Sequence, residues 1–166
     1  MRTMPLTPIT PRKNQYALRA VFELAKHCGK GPIKISDIAD AQSIPLRFLE
    51  VILNQLKGSG LIAAKRGFYG GYYLTRSPDR ITVANIISFM LGPPKQPLCA
   101  ACVAKVKCPH GNRCAFSAMW NRVNRAVLQV YNETTIQDLL DNDRQLRSKK
   151  RSSSKRPLKT RQGRSL

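Results

Sequence analysis

Four of the chain's five cysteines stand together as Cys99-Ala-Ala-Cys102, followed by Cys108 and Cys114, each after an interval of five residues. Thiols gathered this way in a reducing compartment point to metal binding rather than to a disulfide framework. A structural zinc is usually gripped by two C-x2-C pairs; here only Cys99 and Cys102 have that spacing. The five-residue intervals suit the wider span of an iron–sulfur cluster, whose irons are held by cysteine thiolates. Spacing therefore favours iron–sulfur and leaves zinc open. Cys28 stands apart on the first expected helix and is expected to be a small buried core residue.

The elements on either side of this loop must position it. Pro93, Pro94 and Pro97 forbid helix continuation, which marks residues 93–114 as a cysteine-rich loop. Before it, Thr82 is placed to cap a helix whose Val83, Ile86, Ile87 and Met90 line one side and which Gly92 ends. After it, an amphipathic helix is expected from about residue 115 to 131, with the stripe Phe116, Met119, Trp120, Val123, Val127 and Val130. So apolar a stripe on an outlying helix suits a dimer strut. Thr134-x-x-Gln137 has capping-box spacing and opens a short last helix through Leu140, closing a segment 115–143. Residues 144–166 are expected to be a disordered basic tail, and residues 1–11, with prolines at 5, 8 and 11, a disordered N-terminus.

Residues 12–92 form the remaining unit. A first helix over 14–27 buries Ala17, Leu18, Val21, Phe22 and Ala25. Ser36 is placed to cap a second, with Asp37 near its positive end. Pro45 suits the first turn of a third, in which Leu49, Ile52, Leu53 and Leu56 make a buried stripe. Arg47, Phe48, Glu50 and Gln55 are left exposed, and Gly58 and Gly60 end the helix. A strand Leu61–Lys65, a turn Arg66–Gly71 and a return strand Tyr72–Thr75 follow. The expected fold is mainly α with a small β-hairpin wing: a winged helix-turn-helix plus a long dimerisation helix. Pro45, Arg47, Phe48 and Glu50 at the start of the third helix, with Lys65, Arg66, Gly67 and Tyr69 on the wing, are the candidate DNA-binding residues.

Charge supports a polyanionic partner. The chain carries 29 Lys and Arg against 9 Asp and Glu, a net charge of +20. Residues 144–166 hold ten of the cations and no acid, so the other half of the net charge belongs to residues 1–143. Double-stranded DNA binds such a surface by releasing counterions. An enzyme is not indicated: there is no phosphate-cradling glycine loop, and the two histidines, His27 and His110, form no catalytic constellation. No apolar run spans a membrane and no signal peptide opens the chain, so a cytoplasmic location is expected.

The chain resembles the Rrf2 family of winged-helix transcriptional regulators, of the IscR/NsrR type. The residues that carry the resemblance are Tyr16-Ala17-Leu18-Arg19-Ala20, Ile38-Ala39-x-Ala41 and Pro45-x-Arg47-Phe48-Leu49-Glu50. Leu56-Lys57, Gly60-Leu61, Arg66-Gly67-x-x-Gly70-Gly71-Tyr72-x-Leu74, Ile81-Thr82-Val83 and the C-x5-C-x5-C run ending at Cys114 continue it in order. The resemblance covers residues 12–141. It implies a homodimer that binds DNA through the winged helix and, as in many members, an iron–sulfur cluster (2Fe-2S or 4Fe-4S) on Cys102, Cys108 and Cys114. A dimer suits a palindromic operator, and the expected role is a repressor whose DNA affinity the cluster gates. Two positions depart from it. Ser117 stands where a histidine completes the cluster in the assembly regulator, and Gln15 where some relatives carry a carboxylate. Cys99 is the strongest candidate for the fourth ligand and His110 a weaker one. The alternative is a zinc-stabilised nucleic-acid-binding protein without a sensing role.

Overall fold

The computed structural model describes residues 11–92 and 114–154, with side chains followed as far as Lys149. Cys99, Cys102, Cys108 and His110 lie outside the described residues, as do residues 1–10 and 155–166, where disorder was expected. Six α-helices and a two-stranded antiparallel hairpin make up the described fold: α1 Arg12–Lys26, α2 Ile35–Gln42, α3 Leu46–Lys57, β1 Ile62–Lys65, β2 Gly71–Leu74, α4 Val83–Leu91, α5 Ser117–Glu133 and α6 Ile136–Ser154. A single 3-10 turn, Pro78–Arg80, joins the hairpin to α4.

α1 is the hub. Helices α2, α3, α4 and α6 and strand β2 all pack on it. Ala17, Ala20, Val21 and Leu24 of α1 are buried with Ile38 of α2, Ile86 of α4, and Ile136 and Leu140 of α6. From α3 come Leu49, Ile52, Leu53 and Leu56, all buried, so the expected stripe is the one that enters the core. Leu18 and Phe22, expected in the core, are only partly buried at its margin.

The turn between α2 and α3 is tight. Ser43 adopts the left-handed conformation (φ 48°, ψ 50°), and Ile44 N–H donates back to Ala39 O at 2.9 Å. That backbone reversal satisfies the carbonyls at the end of α2 and lets Ile44 enter the core. The end of α2 is also bonded to α1. Gln42 Nε2 donates to Glu23 Oε2 at 2.6 Å, and the Arg19 guanidinium donates to both the side chain and the carbonyl of Gln42. Lys26 Nζ completes the group at 2.8 Å from Glu23.

Several expectations are corrected. Ser36 does not cap α2: the helix begins at Ile35 with Lys34 at the N-cap, two residues before the expected cap, and Ser36 Oγ donates to Asp37 Oδ1 instead. Cys28 is exposed, because α1 ends at Lys26 and the thiol lies in the turn beyond it. The second capping box is Thr135-x-x-Asp138, one residue later than expected. Thr135 N–H donates to Asp138 Oδ2 at 2.8 Å, and Asp138 N–H donates to Thr135 Oγ1 at 3.1 Å. Helix α6 does not stop near Leu140 but continues to Ser154, so residues 144–154 are helical rather than disordered. Arg144–Asp141 and Arg147–Asp143 ion pairs, three and four residues apart, support the extension. The box at Thr82 is as expected, with Asn85 as its second member.

Glu23 gives a pH test of the α1–α2 junction. Burial alone would raise its carboxyl pKa, but hydrogen bonds from Lys26 and Gln42, with the electrostatic attraction of Lys26 and His27, outweigh burial and hold it below 4.5. The stability this contributes is complete above 4.5 and is lost as pH falls through the depressed folded value. Glu23→Gln should be about 1–3 kcal/mol less stable at neutral pH and should converge on the wild type in acid. Urea midpoints across pH measure this, and parallel curves for the two proteins would show that Glu23 is not the titrating group.

Candidate functional site

All eight candidate DNA-binding residues lie on the protein surface in two adjacent segments. Pro45 takes the N-cap position of α3, and Arg47, Phe48 and Glu50 project from its first turns. Lys65 ends β1 opposite Gly71, and Arg66, Gly67 and Tyr69 form the hairpin tip. Among the described residues, none of Arg47, Glu50, Lys65 and Arg66 enters an ion pair. Glu50 is thus not neutralised by Arg47 or Lys57, and its carboxylate stands free on a basic surface.

The wing is fastened at both ends. At its root Thr75 Oγ1 donates to Gly60 O at 2.6 Å and Thr75 N–H to Leu61 O at 3.1 Å, so the hairpin grows directly from the end of α3. Ile33, just before α2, pairs with Tyr72 through two backbone hydrogen bonds of 2.9 and 2.8 Å. That pairing fixes the hairpin to the reading unit and brings Lys34 beside the tip, with Nζ 5.5 Å from the centroid of the Phe68 ring.

Sequence reasoning passed over Phe68 and Val51. Phe68 is 81% and Tyr69 83% exposed, their rings meeting edge to face at 5.0 Å. Val51 is 59% exposed, nearly as open as Phe48 at 61%. A signal for Val51 was present in its spacing: it falls four residues after Arg47, off the buried stripe. Nothing local marks Lys34, which reaches the tip through a long-range pairing.

Of the candidate metal ligands, the described residues contain Cys114. It is half-buried three residues before α5, across the turn Ala115–Phe116, and its carbonyl accepts from Ser117 N–H at 3.1 Å. Its thiol makes no hydrogen bond among the described residues, which leaves the sulfur available as a ligand. The donor chemistry of the cysteine segment, four soft thiols, fits either an iron–sulfur cluster or zinc. Ser117, the first residue of α5, is a poor replacement for a ligating histidine. Along α5 no side chain is fully buried, and Phe116, Met119, Val123 and Val130 of the expected stripe are exposed.

A helix-turn-helix with an exposed second helix, a basic hairpin wing and a core built on α1 defines a winged-helix transcriptional regulator. Residues 10–142 match the Rrf2 family, described as an iron-dependent transcriptional regulator. The chain belongs to that family. It is 32% identical over 155 residues to the HTH-type transcriptional regulator IscR of Xenorhabdus nematophila, covering 89% of this chain and 93% of that one. Among solved structures it is similar to T. potens IscR (TM-score 0.64, 30% identity, 81% of this chain and 87% of that one). It is equally similar to CymR, the global cysteine regulator of B. subtilis (TM-score 0.66, 33% identity, 80% and 95%). The relatives are regulators of transcription, and this chain is a DNA-binding regulator rather than an enzyme. Among the described residues no helix is long and apolar enough to cross a membrane.

The wing's attachment depends on Gly71. Its φ is +156°, and an added Cβ would stand 2.3 Å from Ile33 O. Gly71→Ala should therefore break the Ile33–Tyr72 pairing and destabilise the fold by about 1–3 kcal/mol. Amide exchange at Ile33 and Tyr72 should accelerate together in the variant. Unchanged protection at both amides would mean that the wing is held elsewhere.

Proposed function

We propose that the protein is a homodimeric repressor that reads a palindromic operator and whose DNA affinity is gated by an iron–sulfur cluster. The observation that carries this reading is the placement of Cys114. The last cysteine of the C-x5-C-x5-C run stands half-buried three residues before α5, and its thiol makes no hydrogen bond among the described residues. Cys102, Cys108 and Cys114 are the thiolate ligands, with Cys99 as the candidate fourth and His110 behind it. When bound, the cluster supplies a centre sensitive to oxidation, iron supply or nitric oxide.

What the chain itself contributes can be followed along α5. Its exposed apolar face, Phe116, Met119, Val123 and Val130, suits a second copy of the same helix. Its far end is tied to the reading unit: Val83 N–H donates to Thr134 O at 2.9 Å, and Ile136 N–H to Ile81 O at 2.8 Å. A change at Cys114 therefore bears on a helix joined to the reader at one end and paired with its partner along its length. Small relative movement of two recognition helices is enough to spoil half-site spacing. Pro45, Arg47, Phe48 and Glu50 read the major groove, and Lys65, Arg66, Gly67 and Tyr69 contact the duplex from the wing.

A second reading is favoured by the likeness to CymR, a cysteine regulator by name, together with Ser117 in the place of a ligating histidine. In it the chain keeps the same fold and DNA target but holds zinc, or no metal, at the cysteine loop.

Metal content and visible absorbance of anaerobically purified protein separate these readings. A brown protein containing iron and sulfide is expected, and Cys108→Ala should lose the colour while its melting temperature stays within a few degrees of wild type. A colourless protein containing zinc, or a fully coloured Cys108→Ala variant, would remove the cluster assignment. On the DNA side, Arg66→Ala should weaken operator binding by about 1–3 kcal/mol at fixed salt. Deletion of residues 144–166 should weaken operator and scrambled duplexes by similar factors and flatten the salt dependence. Glu50→Ala, in contrast, should lower the ratio between the two affinities, because a carboxylate is tolerated in the groove where it accepts from a cytosine amino group. Loss of sequence preference on tail deletion, with preference intact in Glu50→Ala, would reverse this division of labour.

A further inference from the structure

The outward face of α3 carries apolar groups that the fold does not use. Arg47, Val51 and Asn54 recur at i, i+4 and i+7, opposite the buried stripe of Leu49, Ile52, Leu53 and Leu56. Phe48 lies three residues before Val51, on the flank of the same face. Val51 and Phe48 are 59% and 61% exposed, and neither belongs to the core cluster or packs against it. Phe48 and Val51 together make an apolar patch between Arg47, Glu50 and Asn54 on a face that the fold itself leaves uncovered.

The charge around them says what kind of partner. Arg47 and Lys57 share the helix, Lys65 and Arg66 follow on the wing, and all four are exposed. A partner for this surface is a polyanion that also presents apolar groups. Duplex DNA does so at one place in its major groove, the C5-methyl of thymine. We infer that Val51, with Phe48 beside it, reads thymine through contact with that methyl group. The inference rests on the proposed use of α3 as the recognition helix. It adds the base that the apolar face selects, where Arg47 and Glu50 supply only polar contacts.

Replacing thymine by uracil removes the methyl and nothing else. The probe is a duplex enriched by the full-length protein from a randomised library, remade with each thymine changed singly to uracil. At one thymine or more in each half-site, affinity should fall about fourfold, the value of one buried methyl-sized group. Val51→Ala should weaken the thymine duplex by a similar factor and lose the distinction between thymine and uracil. Phe48→Ala is the second variant, and both lie outside the core, so melting temperatures should hold. If no uracil substitution matters, or Val51→Ala weakens both duplexes equally, the inference fails while DNA reading by α3 stands. If Val51→Ala binds both duplexes as wild type does, Val51 makes no contact with DNA and the inference fails. If no sequence is enriched at all, the recognition-helix reading fails and takes this inference with it.

Discussion

Three alanines of α1, at positions 17, 20 and 25, are buried without filling space, and the close packing around them organises the molecule. The distance between packed helices is set by the side chains at the contact. With methyl groups on its inner faces, α1 admits α2, α3, α4 and α6 around a single 15-residue helix. Beside Val21 and Leu24 of α1, most of the larger core side chains come from the surrounding elements: Ile38, Leu49, Ile52, Leu53, Leu56, Ile86 and Ile136. A larger residue at 17 or 20 would push at least one of these helices outward. The reader's geometry is therefore a consequence of packing on α1 rather than of contacts within the helix-turn-helix alone.

That constraint explains why the exposed residues of α3 and the wing are free for function. The stripe on α3 is spent on the core, so the helix needs nothing from its outer face. The hairpin is too short to stand by itself, since isolated two-stranded hairpins are marginal in water. It is held by Ile62 in the core, by Thr75 at its root and by the Ile33–Tyr72 pairing. Its tip is then released to expose Arg66, Phe68 and Tyr69. The segment Gly31–Lys34, before α2, is as much a part of the wing as the strands are.

Where a residue's role is set by helical period or by its immediate neighbours, the sequence was legible. The stripe on α3, the Thr82 cap and the hairpin, with its strand ends placed to within one residue, follow from spacing and side-chain type alone. Ser36 and Cys28 were misread because each depends on where a helix ends, and a shift of one or two residues moves a side chain from cap to first turn or from core to surface. The box at Thr135 lost to a competing Thr134 for the same reason: two adjacent threonines offer two registers, and the Thr134 O–Val83 and Ile81 O–Ile136 hydrogen bonds choose between them. The extension of α6 was hidden because its composition reads as a solvated tail. Its support comes from Asp141 and Asp143 placed N-terminal to Arg144 and Arg147, an order that also suits the helix dipole. Cys114 was expected directly before a helix starting at about residue 115, and the helix starts two residues later, at Ser117, another boundary that spacing alone does not fix.

The same placement of charge bears on how DNA affinity is divided within the chain. A wholly flexible tail offers its cations to any phosphate within reach. Residues 144–149 instead project from a helix whose first turn is fastened into the core through Ile136 and Leu140. Arg144 and Arg147 are partly neutralised by Asp141 and Asp143. If the cations of α6 meet a duplex, the direction in which α6 leaves the core sets where they do so. Because α6 begins at the joint between α4 and α5, any movement of α5 that alters this joint also redirects the charge. In a dimer joined along α5, the specific contacts of α3 and the non-specific attraction of α6 would then respond together to a change at Cys114.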